Sequence, residues 1–243
     1  MSGLLYKNFR ANLSSFLFTV IISFICCAIG IVISILGGAD MAGDTDSIRE
    51  AAPVFAALYY CAFLLPSLTS NLLFEADENK TASAFAMSLP QCGKGHIQSK
   101  YWYILIQLLT VLFIAFVSDT VIFGILGGAF SAAILLVLIF CWRLLLAAVE
   151  IPFVIRFGSQ KGIAIKGLVI AFVVVFALIY LMFGNISWLI GSDDPLGALI
   201  AWLKSGRIIF FISLFPFLSF GAYLLSCKIS IKVFRKGAEN YEQ

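Results

Sequence analysis

The sequence predicts an all-α, polytopic membrane protein with six transmembrane helices, and three observations carry that prediction. Of 243 residues, 62% are hydrophobic and only 12% are charged, with a mean hydropathy of +1.05; soluble domains carry roughly a quarter charged residues. Apolar runs free of Asp, Glu, Lys and Arg recur along the chain at lengths that suit a bilayer crossing. The largest polar segment, residues 75–100, is too short to bury a core of its own. Residues 1–243 therefore read as a single transmembrane domain.

Taken in order, residues 3–14 place Leu5, Phe9 and Leu13 four apart, with Lys7 and Arg10 on other faces. This spacing suits a helix lying along the inner headgroups, or else an extension of the first crossing. Residues 16–36 form an uncharged run of 21 residues, which at ~1.5 Å per residue matches the hydrocarbon layer. It is longer than a signal-peptide core and is read as retained. Residues 51–74, bracketed by Glu50 and Glu75, make a second crossing. Pro66 kinks it and is tolerated where a neighbouring helix satisfies the freed carbonyl.

Residues 101–126 and 129–156 read as the third and fourth crossings, reversing at Gly127-Gly128; a reversal at Ser118-Asp119-Thr120 is the alternative. Residues 167–183 make a short fifth crossing, and residues 208–227, kinked near Pro216, a sixth. Residues 196–206 suit an interfacial position anchored by Trp188 and Trp202.

With the N-terminus inside, twelve of the sixteen Lys and Arg residues fall on the inner side. Only Arg49, Lys204 and Arg207 lie outside, and Arg143 lies within the fourth crossing. A basic excess marks the cytoplasmic face, so both termini and residues 75–100 are expected there. The outer loops are then acidic, with Asp40, Asp44, Asp46, Glu50, Asp119, Asp193 and Asp194. Cys26, Cys27, Cys61 and Cys141 fall within crossings and Cys92 and Cys227 at the cytoplasmic side, so no structural disulfide is expected.

The composition excludes several chemistries. His96 is the sole histidine, and neither H-E-x-x-H nor paired C-x-x-C is present, which argues against a zinc enzyme or any metal site. The phosphate-binding signature G-x-x-x-x-G-K-[ST] is missing: Ser88 occupies its first glycine position and Gly95 follows Gly93-Lys94. No catalytic residue is assigned, and nothing points to nucleic acid as a partner. Arg143 and Glu150 are the charges farthest from an interface, seven apart on one helical face, about 10 Å along the axis. A central arginine costs at least ~2.5 kcal/mol on insertion scales, so the two either fix helix packing or line a translocation path.

The polar segment opens with Glu75-Ala76-Asp77-Glu78, breaks at Ser88-Leu89-Pro90 and ends with Ile97-Gln98-Ser99-Lys100-Tyr101. Proline disfavours helical geometry in the residue before it, which gives a helix, a sharp turn and a second short helix. This pattern resembles the permease subunits of the ABC-2 exporter family, especially small bacterial six-span members. The opening Leu4-Leu5-Tyr6-Lys7-Asn8-Phe9 and the fourth-span ending Ile151-Pro152-Phe153-Val154-Ile155-Arg156-Phe157-Gly158 are similar to that family too. The Cys92-Gly93-Lys94-Gly95 turn is less basic than the family pattern.

The resemblance implies a coupling helix between spans two and three, seated on a separate ABC ATPase subunit. Glu75, Asp77, Glu78, Ser88, Leu89, Pro90 and Lys100 are the implied coupling residues. ATP and magnesium would be bound by that partner, present in two copies, and this chain would pair with a second permease copy as a homodimer. The implied cargo is an amphipathic or hydrophobic molecule, preferentially a peptide such as a phenol-soluble modulin or bacteriocin, moved across a bacterial plasma membrane; lipid-like cargo stays open. Two rivals stand beside this reading. A secondary transporter or channel would work without an ATPase, and a non-transporting scaffold or immunity protein would show no cargo-stimulated ATP turnover.

Overall fold

A computed structural model of the chain describes residues 2–41, 45–75, 92–126, 131–183 and 206–239. Among the described residues the regular structure is helical throughout: α1 Ser2–Ala11, α2 Leu13–Met41, α3 Thr45–Glu75, α4 Cys92–Ile125, α5 Ala133–Phe157, α6 Ser159–Phe183 and α7 Gly206–Glu239. Six long helices, α2 to α7, overlie the six apolar runs. Leu13–Leu36, Lys94–Ile125, Ala133–Phe157 and Ile212–Phe234 are long and apolar enough to cross a membrane, while Pro53–Pro66 and Ala164–Phe176 are shorter apolar stretches.

Several helices begin before, or run past, their apolar runs. Hydropathy ends at the first charge, but backbone hydrogen bonding continues until a breaker intervenes. Thus α6 starts at Ser159, not near Gly167, and α7 continues to Glu239. The turn at Ser118-Asp119-Thr120 is overturned: those residues lie inside α4, which runs to Ile125 and turns at Leu126. Gly127-Gly128 and residues 196–205 lie outside the described residues. Asp119 is accordingly not a loop residue. It is buried in α4, where it accepts the Ala132 N–H at 2.8 Å and the Ser131 hydroxyl at 3.2 Å, a carboxylate at the positive end of α5.

At the other end of the bundle, α1 is a separate helix folded against α4. Asn8 Nδ2 donates to Ser99 Oγ at 2.9 Å, and the Phe9 ring lies 4.9 Å from that of Tyr103 and 5.5 Å from that of Phe16. The four-residue stripe breaks at Asn12: Leu5 and Phe9 pack on the core, whereas Leu13 is 50% exposed.

α4 is the central element, touching α1, α2, α3, α5 and α7. Tyr103, Val111 and Ile122 of α4 are buried with Phe55 and Phe63 of α3 and Leu136 and Leu144 of α5. The long helices alternate in direction. Contacts of Asn8 with Ser99, Lys100 with Leu73 and Glu150 with Lys166 share one end, and those of Ser118 with Cys27 and Asp119 with Ala132 the other. α6 packs mainly on α5, and Leu168, Phe172, Phe176 and Leu178 stand exposed. An apolar exterior of this extent suits lipid as the surrounding solvent.

Candidate functional site

Successive residues on a helix point about 100° apart, so three in a row can meet three different neighbours. Ser99, Lys100 and Tyr101 do this at the start of α4. Ser99 accepts from Asn8 of α1 and donates to the His96 carbonyl at 2.7 Å. Lys100 Nζ donates to the Leu73 carbonyl at 2.8 Å and lies 4.6 Å from the centre of the Phe74 ring. Leu73 belongs to the last turn of α3, where carbonyls lack helical partners and a cation is favoured. Lys100 is 2% exposed. It clasps the two helices that flank the polar segment. Glu75 closes α3, with its side chain outside the described set, and Asp77, Glu78, Ser88, Leu89 and Pro90 lie outside the described residues.

Tyr101 reaches α7. Its hydroxyl sits 2.7 Å from Ser226 Oγ and 2.8 Å from Ser230 Oγ, and the Tyr223 hydroxyl donates to the Tyr101 carbonyl at 2.8 Å. Ser226 in turn donates to the Ala148 carbonyl at 2.6 Å. Ala148 lies four residues before Pro152, whose missing N–H leaves that carbonyl without its helical donor. Tyr101, at the end of one sequence motif, is thus tied through one serine of α7 to the carbonyl that Pro152 of the other motif leaves free. Ser226→Ala is expected to cost about 1–2 kcal/mol, since it orphans a buried carbonyl and removes a Tyr101 partner. Thermal unfolding in detergent measures it.

A second polar cluster surrounds Pro66. Ala62, the residue whose carbonyl Pro66 cannot bond, has Ser23 Oγ of α2 at 3.4 Å. Arg143 of α5 donates through Nε to the Phe63 carbonyl at 2.8 Å and through Nη2 to the Leu64 carbonyl at 2.9 Å. The Thr69 hydroxyl lies 3.2 and 3.3 Å from the Leu65 and Pro66 carbonyls. Gln107 of α4 braces this turn, donating to Thr69 at 2.7 Å and to Thr19 at 2.9 Å. The Ala62, Phe63 and Leu64 carbonyls thus meet side-chain donors from two neighbouring helices, as the sequence required, while the single Thr69 hydroxyl, on α3 itself, lies between the Leu65 and Pro66 carbonyls.

Arg143 and Glu150 share a face and line a cavity of about 20 Å³ with Pro66, Ile104, Leu108, Leu146 and Ala147, room for about one water. They do not form an ion pair. Arg143 holds the carbonyls, and Glu150 Oε2 pairs with Lys166 of α6 at 3.1 Å. Lys166 was missed because the sequence reading placed it in a loop. A signal was present: Glu150 precedes Gly158 by eight residues and Lys166 follows it by eight, so a tight antiparallel turn at Gly158 brings them level. Gly158 makes that turn at φ 90°. Among the described residues no group of His, Cys, Asp and Glu is arranged to hold a metal ion.

An all-helical chain with membrane-crossing helices, an apolar exterior and polar side chains spent on tying helices together is a multi-pass membrane protein. Residues 3–235 match the family described as ABC-2 family transporter protein, and the chain belongs to that family. No curated protein and no solved structure matches it significantly.

Proposed function

We propose that this chain is the permease of an ATP-driven exporter, crossing the bacterial plasma membrane six times with both termini and residues 75–100 in the cytoplasm. Two copies pair, each served by one ABC ATPase subunit that binds ATP and magnesium. Their cargo is amphipathic or hydrophobic, with peptide the preferred class. The observation that carries this reading is the family match across residues 3–235. The buried clasp of Lys100 on α3 supports it, because force taken up at a cytoplasmic face reaches the bundle only through rigid connections. On this reading Glu75, Asp77, Glu78, Ser88, Leu89 and Pro90 face the ATPase, and Lys100 positions them from within.

The test is co-expression with an ABC ATPase subunit from the same genome, starting with any that a neighbouring reading frame encodes, followed by purification and reconstitution. A complex of two and two subunits is expected, with ATP hydrolysis raised by amphipathic peptide. Replacing Asp77 and Glu78 together by alanine is expected to lower ATPase recovery while leaving the permease folded. Transport without any ATPase, or a complex in which the double variant binds normally, would sink the proposal.

A further inference from the structure

α3 carries Pro66 in its interior and ends nine residues later at Glu75, where the polar segment begins. An interior proline loosens a helix, because one N–H is missing and the ring crowds the carbonyl four residues back. Here the loosened turn is gripped. Thr69 acts from the same helix and Ser23 at 3.4 Å, whereas Arg143 supplies two bonds of 2.8 and 2.9 Å from another helix. A second acceptor waits in the same cavity. Glu150 lines it two turns along α5, is 5% exposed, and its Oε1 has no hydrogen-bond partner. A guanidinium carries five N–H donors on a flexible stem, so it can exchange acceptors without leaving the interior.

We propose that Arg143 is the catch of a hinge in α3, fixing the turn around Pro66 while it holds the Phe63 and Leu64 carbonyls and freeing the stretch from Pro66 to Glu75 when it turns to Glu150 Oε1. An observed set of bonds to two carbonyls and an alternative carboxylate acceptor in reach of the same guanidinium would make a bistable element, and the cavity supplies clearance that close packing would deny. The consequence for transport rests on the proposed function, since a swing of this stretch would move the polar segment; the hinge itself does not rest on it.

Amide hydrogen exchange on the full chain in lipid nanodiscs, without an ATPase, tests the hinge. Arg143→Met and the milder Arg143→Lys are expected to speed exchange at residues 67–75 by about tenfold or more. In a Pro66→Ala background, where the missing helical bond is restored, the same substitutions should change it by less than about twofold. Equal acceleration in both backgrounds would overturn the catch and leave Arg143 a general packing residue. Pro66→Ala alone must slow exchange there, and no change would equally overturn the proposal. Glu150→Gln combined with Lys166→Met, which weakens the alternative seat without stranding the Lys166 charge, is expected to slow exchange relative to the native chain; unchanged or faster exchange would strike out Glu150 as that seat. If these results hold while added ATPase and ATP leave the stretch unmoved, the hinge stands and the coupling reading fails.

Discussion

Replacing Glu150 by leucine is expected to destabilise the protein by about 3–5 kcal/mol, and removing Lys166 as well should recover most of that loss. Lys166 and Glu150 side chains are 12% and 6% exposed and lie 3.1 Å apart. Breaking a buried pair by deleting one member strands the other charge where solvation is poor, which costs about 3–5 kcal/mol, whereas replacing both by apolar groups is often close to neutral. Arg143 does not compensate, since it carries the same sign as Lys166 and is held on the Phe63 and Leu64 carbonyls. Denaturant unfolding in micelles of Glu150→Leu, Lys166→Leu and the double variant gives the coupling directly. A double variant as unstable as Glu150→Leu alone would show that the ion pair is not what joins α5 to α6.

Lys100→Met should cost about 2–4 kcal/mol, combining a charge-assisted hydrogen bond of about 1.5–3 kcal/mol with a desolvated cation–π contact. The loss is local as well as global. Without its ammonium the Leu73 carbonyl, in the last turn of α3, loses a donor, so exchange should accelerate at residues 70–75 before the rest of the bundle opens. Lys100→Arg keeps the charge and should keep part of the stability. A methionine variant with an unchanged melting temperature and an unfrayed α3 would mean that the clasp is incidental.

The helices were legible in the sequence because lipid imposes a simple rule: without water, backbone groups must bond internally, so long apolar runs become helices. Pro66 was legible for the same reason, and Ser23 and Arg143 supply donors to the carbonyls one turn before it. Helix ends were less readable. α6 begins at Ser159, directly after the Gly158 turn, and accommodates Lys166 through its pairing with Glu150, a long-range fact that local hydropathy does not contain. Asp119 was counted among the outer acids because a carboxylate in an apolar run is expected near a surface; its partners, Ser131 and Ala132, lie beyond the turn.

The candidate site divides in the same way. Ser99-Lys100-Tyr101 stood out as a motif, but nothing in the letters tells a displayed lysine from one folded inward. That depends on α3 ending beside α4, which only the tertiary arrangement provides. Pairing Arg143 with Glu150 at a spacing of seven was sound helical geometry, yet each has a competing partner on another helix.

The reversal between α5 and α6 rests on Gly158 alone, in a backbone conformation that side-chain-bearing residues resist. A joint so short leaves no slack. Any tilt of the foot of α5 would pass at once to the start of α6, whose Leu168, Phe172 and Phe176 face outward, so the two helices form a stiff hairpin with one greasy outer edge.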